Sequence, residues 1–320
     1  MEEKVVPQLT EFLKDAPQNW GVWGADDEVG ALNYLTKDEV LRGVKAVRSG
    51  KTFTLGLPIG NPDGDPIWPG RRPAHVITLK DKGDFLAGAG PKYPGGGQDA
   101  DDMIIMALQG STQYDALGHF WCGDQIWNGY PAITTAGGLK KASILPLGEK
   151  GIVGHGVLID MARFRGKKVL TRGETFTHKD LMDAAASQGV SIEKRDILLI
   201  RTGWIGSYYS TPDEEFYRDF LEPGLTYSKE LIEWFQEMEI PNLGTDTIAN
   251  EVTVDPVSGI ALPLHVALMR NLGITFAEIL ALDALAEDCA QDGQWDFLYS
   301  AGPLKVVGGT GSPVNPIVTK

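Results

Sequence analysis

The chain has 320 residues, of which 42% are hydrophobic and 22% charged, and its mean hydropathy is −0.13. This composition supports a large buried core and excludes an intrinsically disordered protein. The net charge of −14 gives a surface that repels nucleic acids and anionic membranes, so neither is expected as a partner.

The cysteines and the start of the chain indicate a compartment. Cys122 and Cys289 stand far apart in the sequence, which excludes a disulfide framework or a zinc finger and fits reduced thiols. The first twelve residues are charged and lack the apolar stretch of a secretory signal, and no apolar run has the length of a membrane span. We therefore expect a cytoplasmic protein.

The first third of the chain predicts one helix followed by β-structure. Thr36 and Glu39 form a capping box that predicts a helix ending at Gly50, and residues 51–59 follow as a strand. His75 lies in an alternating segment that predicts a further strand.

Residues 81–101 are rich in Gly, Asp and Pro and are too long for a tight turn. Loops of this length are usually functional or disordered. We interpret the segment as a flexible loop that borders the functional site as a lid, with simple disorder as the alternative.

Polar side chains cluster in the sequence QGSTQYDALGH, from Gln109 to His119. A spacing of two places Gln113 and Asp115 on one face of a strand, and a spacing of four suits one face of a helix. A strand followed by a helix would therefore direct four side chains into one pocket: Gln109, Gln113, Asp115 and His119. Carboxylate, amide and imidazole groups can all bind divalent cations, so the segment indicates a metal site, with a hydrogen-bonded polar turn as the alternative.

Strands and helices alternate in the second half of the chain. Predicted strands cover residues 152–160, 196–202, 240–246 and 274–278. Predicted helices cover residues 177–189 and 228–239, and a third runs from Pro263 to Gly273. No internal repeat and no linker is visible. The sequence therefore predicts a single mixed α/β domain over residues 1–320.

The polar cluster resembles the signature of the cyclase family of metal-dependent hydrolases, which includes kynurenine formamidase and isatin hydrolase. That signature reads H-x-G-T-H-x-D-x-P-x-H, and Thr112, Asp115 and His119 match it. Gln109 and Gln113 occupy the positions of its first two histidines. The chain thus resembles a branch of the family with glutamine at these two positions.

Similarity to the family extends over nearly the whole chain. The similar segments are NWGVWGADDEVGALNYLT at 19–36, ILLIRTGW at 197–204, NLGTDTIANE at 242–251, LPLHVALMRNLGITFAEILALDAL at 262–285 and GPLKVVGGTGSPVNP at 302–316. The resemblance implies a swivelling β/β/α fold, in which a mixed, barrel-like sheet is flanked by helices.

The resemblance also implies a ligand set for one divalent metal ion. It assigns a metal role to His265 in LPLH and to Glu278, a carboxylate in the apolar segment FAEIL that is costly to bury unless paired. With Asp115 and His119 they form a set suited to Mn²⁺ or Zn²⁺. Gln113 is a weaker, neutral candidate ligand. The residues assigned to substrate binding are Gln109, Trp121, Trp23 and His75.

We therefore predict a metal-dependent hydrolase acting on C–N or ester bonds. It would open a cyclic amide, lactone or related carbonyl compound, aromatic or heterocyclic, with a metal-activated water molecule. His119 would be either a ligand or the catalytic base. The alternatives are a catalytically silent binding protein of the same family, and a hydrolase that uses Cys122 as its nucleophile. A homodimer or homotetramer is expected.

Overall fold

A mixed sheet of nine strands organises the computed structural model, which describes residues 6–320. The strands in that range are β1 (Thr52–Thr54), β2 (His75–Lys80), β3 (Asp101–Ile105), β4 (Gln113–Asp115), β5 (Ile152–Asp160), β6 (Thr175–Phe176), β7 (Ile197–Arg201), β8 (Gly224–Leu225), β9 (Asn242–Thr245), β10 (Thr275–Glu278), β11 (Asp296–Ala301), β12 (Gly311–Pro313) and β13 (Ile317–Thr319). The large sheet has the order β1-β13-β11-β5-β7-β9-β10-β4-β12, and β2-β3 and β6-β8 form two small sheets.

Parallel strands occupy the centre of the large sheet and antiparallel strands its two ends. β5, β7, β9 and β10 run parallel, whereas β4, β12, β11, β13 and β1 add antiparallel pairs on either side. The first four residues of β7, ILLI, are fully buried, as expected for a strand covered on both faces.

Helices flank this sheet. The α-helices are α1 (Leu9–Phe12), α2 (Lys37–Ala46), α3 (Lys82–Leu86), α4 (Ile144–Lys150), α5 (Met161–Phe164), α6 (His178–Gln188), α7 (Asp213–Phe216), α8 (Lys229–Glu237) and α9 (Asp283–Asp292). Within residues 6–320, none of the helices combines the length and the apolar character that crossing a bilayer requires. The predicted fold class, a mixed α/β fold with a barrel-like sheet flanked by helices, is confirmed.

Two predicted elements are shorter in the structure than in the sequence analysis. The capping box of Thr36 and Glu39 is present, but α2 ends at Ala46 because Val47 has an extended backbone (φ −71°, ψ 118°). The expected end at Gly50 is therefore wrong. β1 covers three residues instead of residues 51–59, since its partner β13 is itself three residues long.

Residues 81–101 have more structure than their composition predicted. Asp81 and Asp84 form a capping box for α3, and β3 begins at Asp101 and pairs with β2. Among the described residues, the side-chain hydrogen bonds of the segment lead only to itself and to Lys80. The role of a mobile lid remains a prediction.

His155 on β5 makes the stability of the fold depend on pH. Burial disfavours its charged form, but Asp196, at 2.7 Å from Nδ1, and Asp296, at 3.5 Å from Nε2, outweigh that effect and raise the pKa of His155 to about 9. Arg42 on α2 also faces Asp196 and opposes the rise.

We expect the contribution of His155 to the free energy of unfolding to be highest below about pH 6.5, where both the folded and the unfolded imidazole are protonated. It should fall as the pH rises through about 9. The difference in unfolding free energy between wild type and His155→Gln, measured by denaturant titration, should therefore be larger at pH 6 than at pH 9.5. The exposed His75→Gln is the matched control, and an equal difference at both pH values would contradict the assignment.

Candidate metal centre

Asp115, His265 and Glu278 meet at the end of two paired strands. Asp115 ends β4 and Glu278 ends β10, which pairs with β4 so that Glu278 stands opposite Gln113. One ligand atom of each of the three residues lies within 4.8 Å of the other two. All three are buried, with exposed fractions of 1% for Asp115, 4% for His265 and 2% for Glu278. Two carboxylates and an imidazole thus share one enclosed space.

Unpaired oxygen atoms in this space fit a bound cation. Neither carboxylate oxygen of Asp115 receives a hydrogen bond from the described residues. Gln113 and Asn250 donate to Glu278 at 2.7 and 3.2 Å, yet the amide oxygen of each is itself unpaired. Buried acceptors without donors are costly, and a divalent cation would satisfy them. The donor set of oxygens and one imidazole suits Mn²⁺ or Zn²⁺.

Glu251 orients the imidazole of His265. Its carboxylate accepts hydrogen bonds from the backbone N–H groups of Leu264 and His265, and from Nδ1 of His265 at 2.7 Å. Nε2 of His265 therefore faces Glu278, at 3.5 Å. A carboxylate behind a ligating histidine is typical of metal sites.

The charges of this site also favour a cation. Burial alone would lower the pKa of His265, but Glu251 and Glu278 raise it to about 10. Burial and the charge of Asp115 raise the pKa of Glu278. Nδ1 of His265 is held by Glu251, so Nε2 is the nitrogen that a cation could bind. A cation that binds there would displace the proton that Nε2 carries when the ring is charged.

Backbone strain surrounds the centre. His265–Arg270 form a π-helical segment where the sequence predicted an ordinary helix, and π-helical turns are frequent at functional sites. Asn250, Leu262 and Ile279 have φ values of 58°, 54° and 58°. Ile279 directly follows Glu278, and a β-branched residue in this region is a true outlier. Strain of this kind is concentrated at functional sites.

His119 is the most accessible histidine near the centre. Its Nε2 lies 3.9 Å from Asp115 Oδ2, and 22% of its side chain is exposed. The Gln109 amide nitrogen lies 2.9 Å from the backbone oxygen of Thr310, which can only accept, and 3.1 Å from Nδ1 of His119. Nδ1 therefore accepts a hydrogen bond, and the proton of the neutral ring is on Nε2, facing Asp115.

The charge state of His119 follows from its surroundings. Burial lowers the pKa of His119, the charges of His265 and Arg71 lower it further, and Asp115 opposes them. At neutral pH the ring is therefore neutral and presents an N–H group to the centre.

The two glutamines of the motif act as hydrogen-bond donors in this structure. Gln109 lies beside His119, and Gln113 donates to the candidate ligand Glu278. The ligand role of Gln113 and the substrate role of Gln109 remain predictions.

Within residues 6–320, the remaining predicted substrate residues make no hydrogen bond, ion pair or ring contact with the three ligands. Trp121 follows His119 by two positions and is 39% exposed. Trp23 packs against Tyr34 and Trp127, with ring centroids 5.0 and 6.2 Å apart. His75 is exposed and pairs with Ile105 in the β2–β3 hairpin. Their substrate roles remain predictions.

Cys122 does not have the properties of a nucleophile. Its side chain is half-buried, and burial raises the pKa of the thiol against a weaker opposite effect of Arg270. A protonated thiol is a poor nucleophile, so the structure gives no support to the alternative based on Cys122.

The sequence analysis missed Glu251, Glu222 and Arg71. Glu222 accepts a hydrogen bond from the N–H of Ile248 at 2.8 Å, and burial, with the charge of Glu278 adding, raises its pKa to about 8. Glu222 follows Leu221, and Glu251 precedes Val252, so a carboxylate beside an apolar residue could have indicated both. Arg71 has no such signal.

Comparison with known proteins identifies relatives of the chain. A sequence profile of the family described as "Putative cyclase" matches residues 53–252. A crystal structure described as a novel cyclase is 39% identical, with a TM-score of 0.86, over 95% of this chain and 100% of that chain. No curated protein sequence matches the chain.

More distant structures share the fold. Isatin hydrolase A from Labrenzia aggregata, bound to benzyl benzoate, is 19% identical over 87% of this chain and 96% of its own, with a TM-score of 0.60. A predicted metal-dependent hydrolase from Bacillus stearothermophilus is 16% identical over 84% of this chain and 97% of its own, with a TM-score of 0.50.

Proposed function

Because this chain belongs to the cyclase family, we propose that it is a metal-dependent hydrolase that opens a cyclic amide, lactone or related carbonyl compound. The observation that carries this proposal is the buried set of Asp115, His265 and Glu278, with both oxygens of Asp115 unpaired. These three residues would hold one divalent cation, Mn²⁺ or Zn²⁺. When bound, the cation polarises the carbonyl group and lowers the pKa of a nearby water molecule.

The residues around the cation would orient and stabilise the reacting groups. Glu251 fixes the ring of His265, and Gln109 fixes the ring of His119. His119 directs its Nε2–H into the centre, where it would donate to the carbonyl oxygen as negative charge develops there. The water oxygen would bond to the carbonyl carbon, the C–N or C–O bond of the ring would break, and the proton lost by the water would pass to the leaving nitrogen or oxygen.

A hydrolysis screen tests the proposal. The purified protein, loaded separately with Mn²⁺ and Zn²⁺, is incubated with small lactones, cyclic imides and formamides, and mass spectrometry follows the gain of one water. We expect turnover of at least one ring compound. The Asp115→Asn variant is the control, since its activity should equal that of buffer.

The second candidate is a catalytically silent binding protein of the same family. The observation that favours it is the engagement of Gln109 and Gln113 as hydrogen-bond donors at positions where the family signature has histidine. Saturable binding of a ring compound, without turnover at any metal loading, would support this candidate over the hydrolase.

The β2–β3 hairpin supports the proposal that the protein self-associates. Six apolar side chains on its two faces are 40–59% exposed: Val76, Ile77, Leu79, Met103, Ile104 and Ile105. A two-stranded hairpin is marginally stable by itself, and exposed patches of this kind usually mark interaction sites. We propose that a second copy of the chain covers the hairpin.

We expect Ile104→Lys to convert a dimer or tetramer into monomers in light-scattering measurements at micromolar concentration, because the lysine would be buried in the interface. Ile133→Lys, at an apolar position outside the hairpin that is 76% exposed, is the control and should leave the assembly unchanged. A monomeric wild-type protein would refute the proposal.

A further inference from the structure

Arg71 lies beside the candidate centre without an acidic partner. Its Nη1 donates to the backbone oxygen of Gln109 at 3.0 Å, and the side chain of the same Gln109 contacts His119. The guanidinium is therefore one residue away from the proposed catalytic histidine. Within residues 6–320, no carboxylate lies within ion-pair distance of Arg71, and its Nε and Nη2 make no hydrogen bond.

An unpaired arginine at this place is unusual for this protein. The chain has 43 acidic and 29 basic residues, so carboxylates are abundant. Most other half-buried arginines use them: Arg42 lies 2.7 Å from Asp196, and Arg201 lies 2.9 Å from Asp160. Arg270 has no acidic partner either, but its Nε and Nη1 already donate to Gln125 and Asn271. The charge of Arg71 nevertheless reaches the centre, since it lowers the pKa values of both His119 and Glu278.

Next to Arg71, the same loop contributes to an aromatic cluster. The N–H of Arg71 donates to the backbone oxygen of Trp68, and Trp68 packs against an apolar cluster that includes Phe216, as Tyr217 does. Trp68 and Phe220 pack with ring centroids 5.4 Å apart. The loop thus places a cation and an apolar wall on neighbouring residues.

We propose that Arg71 binds a carboxylate of the substrate, and that the preferred substrates are ring compounds bearing one carboxylate. A planar guanidinium with Nε and Nη2 free can bind a carboxylate through two parallel hydrogen bonds. This proposal rests on the proposed function in one respect, namely that the carboxylate bound by Arg71 belongs to a substrate. The recognition of a carboxylate by Arg71 can be measured without any turnover.

Binding of benzoate and its neutral analogue benzamide tests the proposal. Dissociation constants are measured by calorimetry for wild type, Arg71→Gln, Arg71→Lys and Arg72→Gln. Arg72 is the exposed neighbour of Arg71 and provides the matched control. Each protein is titrated with its metal and again after chelation, because a carboxylate could also bind the cation. Thermal unfolding confirms that every variant is folded.

We expect Arg71→Gln to weaken benzoate binding about tenfold or more, with and without metal, and to leave benzamide binding unchanged. Arg71→Lys should fall in between, since lysine keeps the charge but loses the planar pair. Arg72→Gln should behave like wild type. Equal benzoate affinity in wild type and Arg71→Gln would overturn the proposal, and so would no binding of benzoate to wild type.

The carboxylate bound by Arg71 could belong to the substrate or to the product of hydrolysis. Kinetics with a substrate found in the hydrolysis screen distinguish these two sources. Arg71→Gln should raise KM for a carboxylate-bearing substrate and leave KM for its neutral analogue unchanged. Relief of product inhibition without a change in KM would mean that Arg71 binds the carboxylate made by the reaction, and would overturn the proposal. If Arg71→Gln lost benzoate binding but the wild-type protein hydrolysed no compound in the screen, only the proposed function would be refuted.

Discussion

His119→Ala is expected to lower kcat about a hundredfold or more while the cation stays bound. In the structure the Nε2–H of His119 faces the centre, because Gln109 donates to Nδ1. Removing one preorganised donor from a developing oxyanion typically costs this much. Stopped assays on the metal-loaded variant measure the loss, and elemental analysis measures its metal content.

A second substitution of His119 distinguishes its role as a hydrogen-bond donor from a role as a general base. His119→Gln keeps an N–H group but cannot accept a proton, so it should retain more activity than His119→Ala if His119 is a donor. His178→Gln, a buried histidine on α6, is the control and should keep wild-type activity. Full activity of His119→Ala would exclude His119 from the catalytic step.

The pH profile provides a further check on His119. Burial lowers the pKa of this ring below its usual value near 6.5, so the neutral form, whose Nδ1 accepts the hydrogen bond from Gln109, persists on the acidic side of that value. Protonation of Nδ1 would break this hydrogen bond, and the ring would lose the orientation that directs its Nε2–H into the centre. We therefore expect kcat to remain high as the pH falls to 6.5, and to decline only below it.

Sequence alone could predict elements whose signals are local. The capping box of Thr36 and Glu39 and the apolar strand β7 depend on neighbouring residues, and the structure contains both. Asp81 and Asp84 carry the same kind of signal for α3. The composition of residues 81–101 concealed it, because glycine and proline dominated the interpretation.

The candidate centre depends on pairing that no local pattern encodes. The sequence indicated the two carboxylates separately, Asp115 as part of the polar cluster QGSTQYDALGH and Glu278 as a carboxylate in an apolar segment. The antiparallel pairing of β4 with β10 is what brings them together. The resemblance to the family supplied this long-range information.

Other features of the site lie beyond a reading of the sequence. The tautomer of His119 follows from the backbone oxygen of Thr310, which comes from the other end of the chain. The position of Arg71 follows from its hydrogen bond to the backbone of Gln109. A backbone oxygen has no residue type, so these contacts leave no trace in the sequence.

Asp115→Asn is expected to abolish the response of the protein to divalent cations. Chelation should remove wild-type activity, and added Mn²⁺ or Zn²⁺ should restore it, because a cation contributes several kcal/mol to stabilising the transition state. That corresponds to a loss of about a thousandfold or more. In Asp115→Asn, neither ion should restore activity.

Thermal unfolding measures the same site without turnover. Added cation should raise the Tm of wild type by mass action and leave that of Asp115→Asn unchanged. Without cation, Asp115→Asn should unfold at a higher temperature than wild type, since both oxygens of the buried Asp115 are unpaired and the amide removes an uncompensated charge.

Asp246 provides the matched control for the expected rise in Tm of cation-free Asp115→Asn. It is equally buried, but its oxygens accept hydrogen bonds from Thr202 and Gly203 at 2.7 Å. Asp246→Asn should therefore lower the Tm with and without cation, because it removes a satisfied acceptor. If the cation raised the Tm of Asp115→Asn as much as that of wild type, or if metal-stripped wild type kept full activity, Asp115 would not be a ligand. A gain in stability on losing a buried carboxylate, seen only without the cation, is the signature of a site whose charge is arranged for an ion.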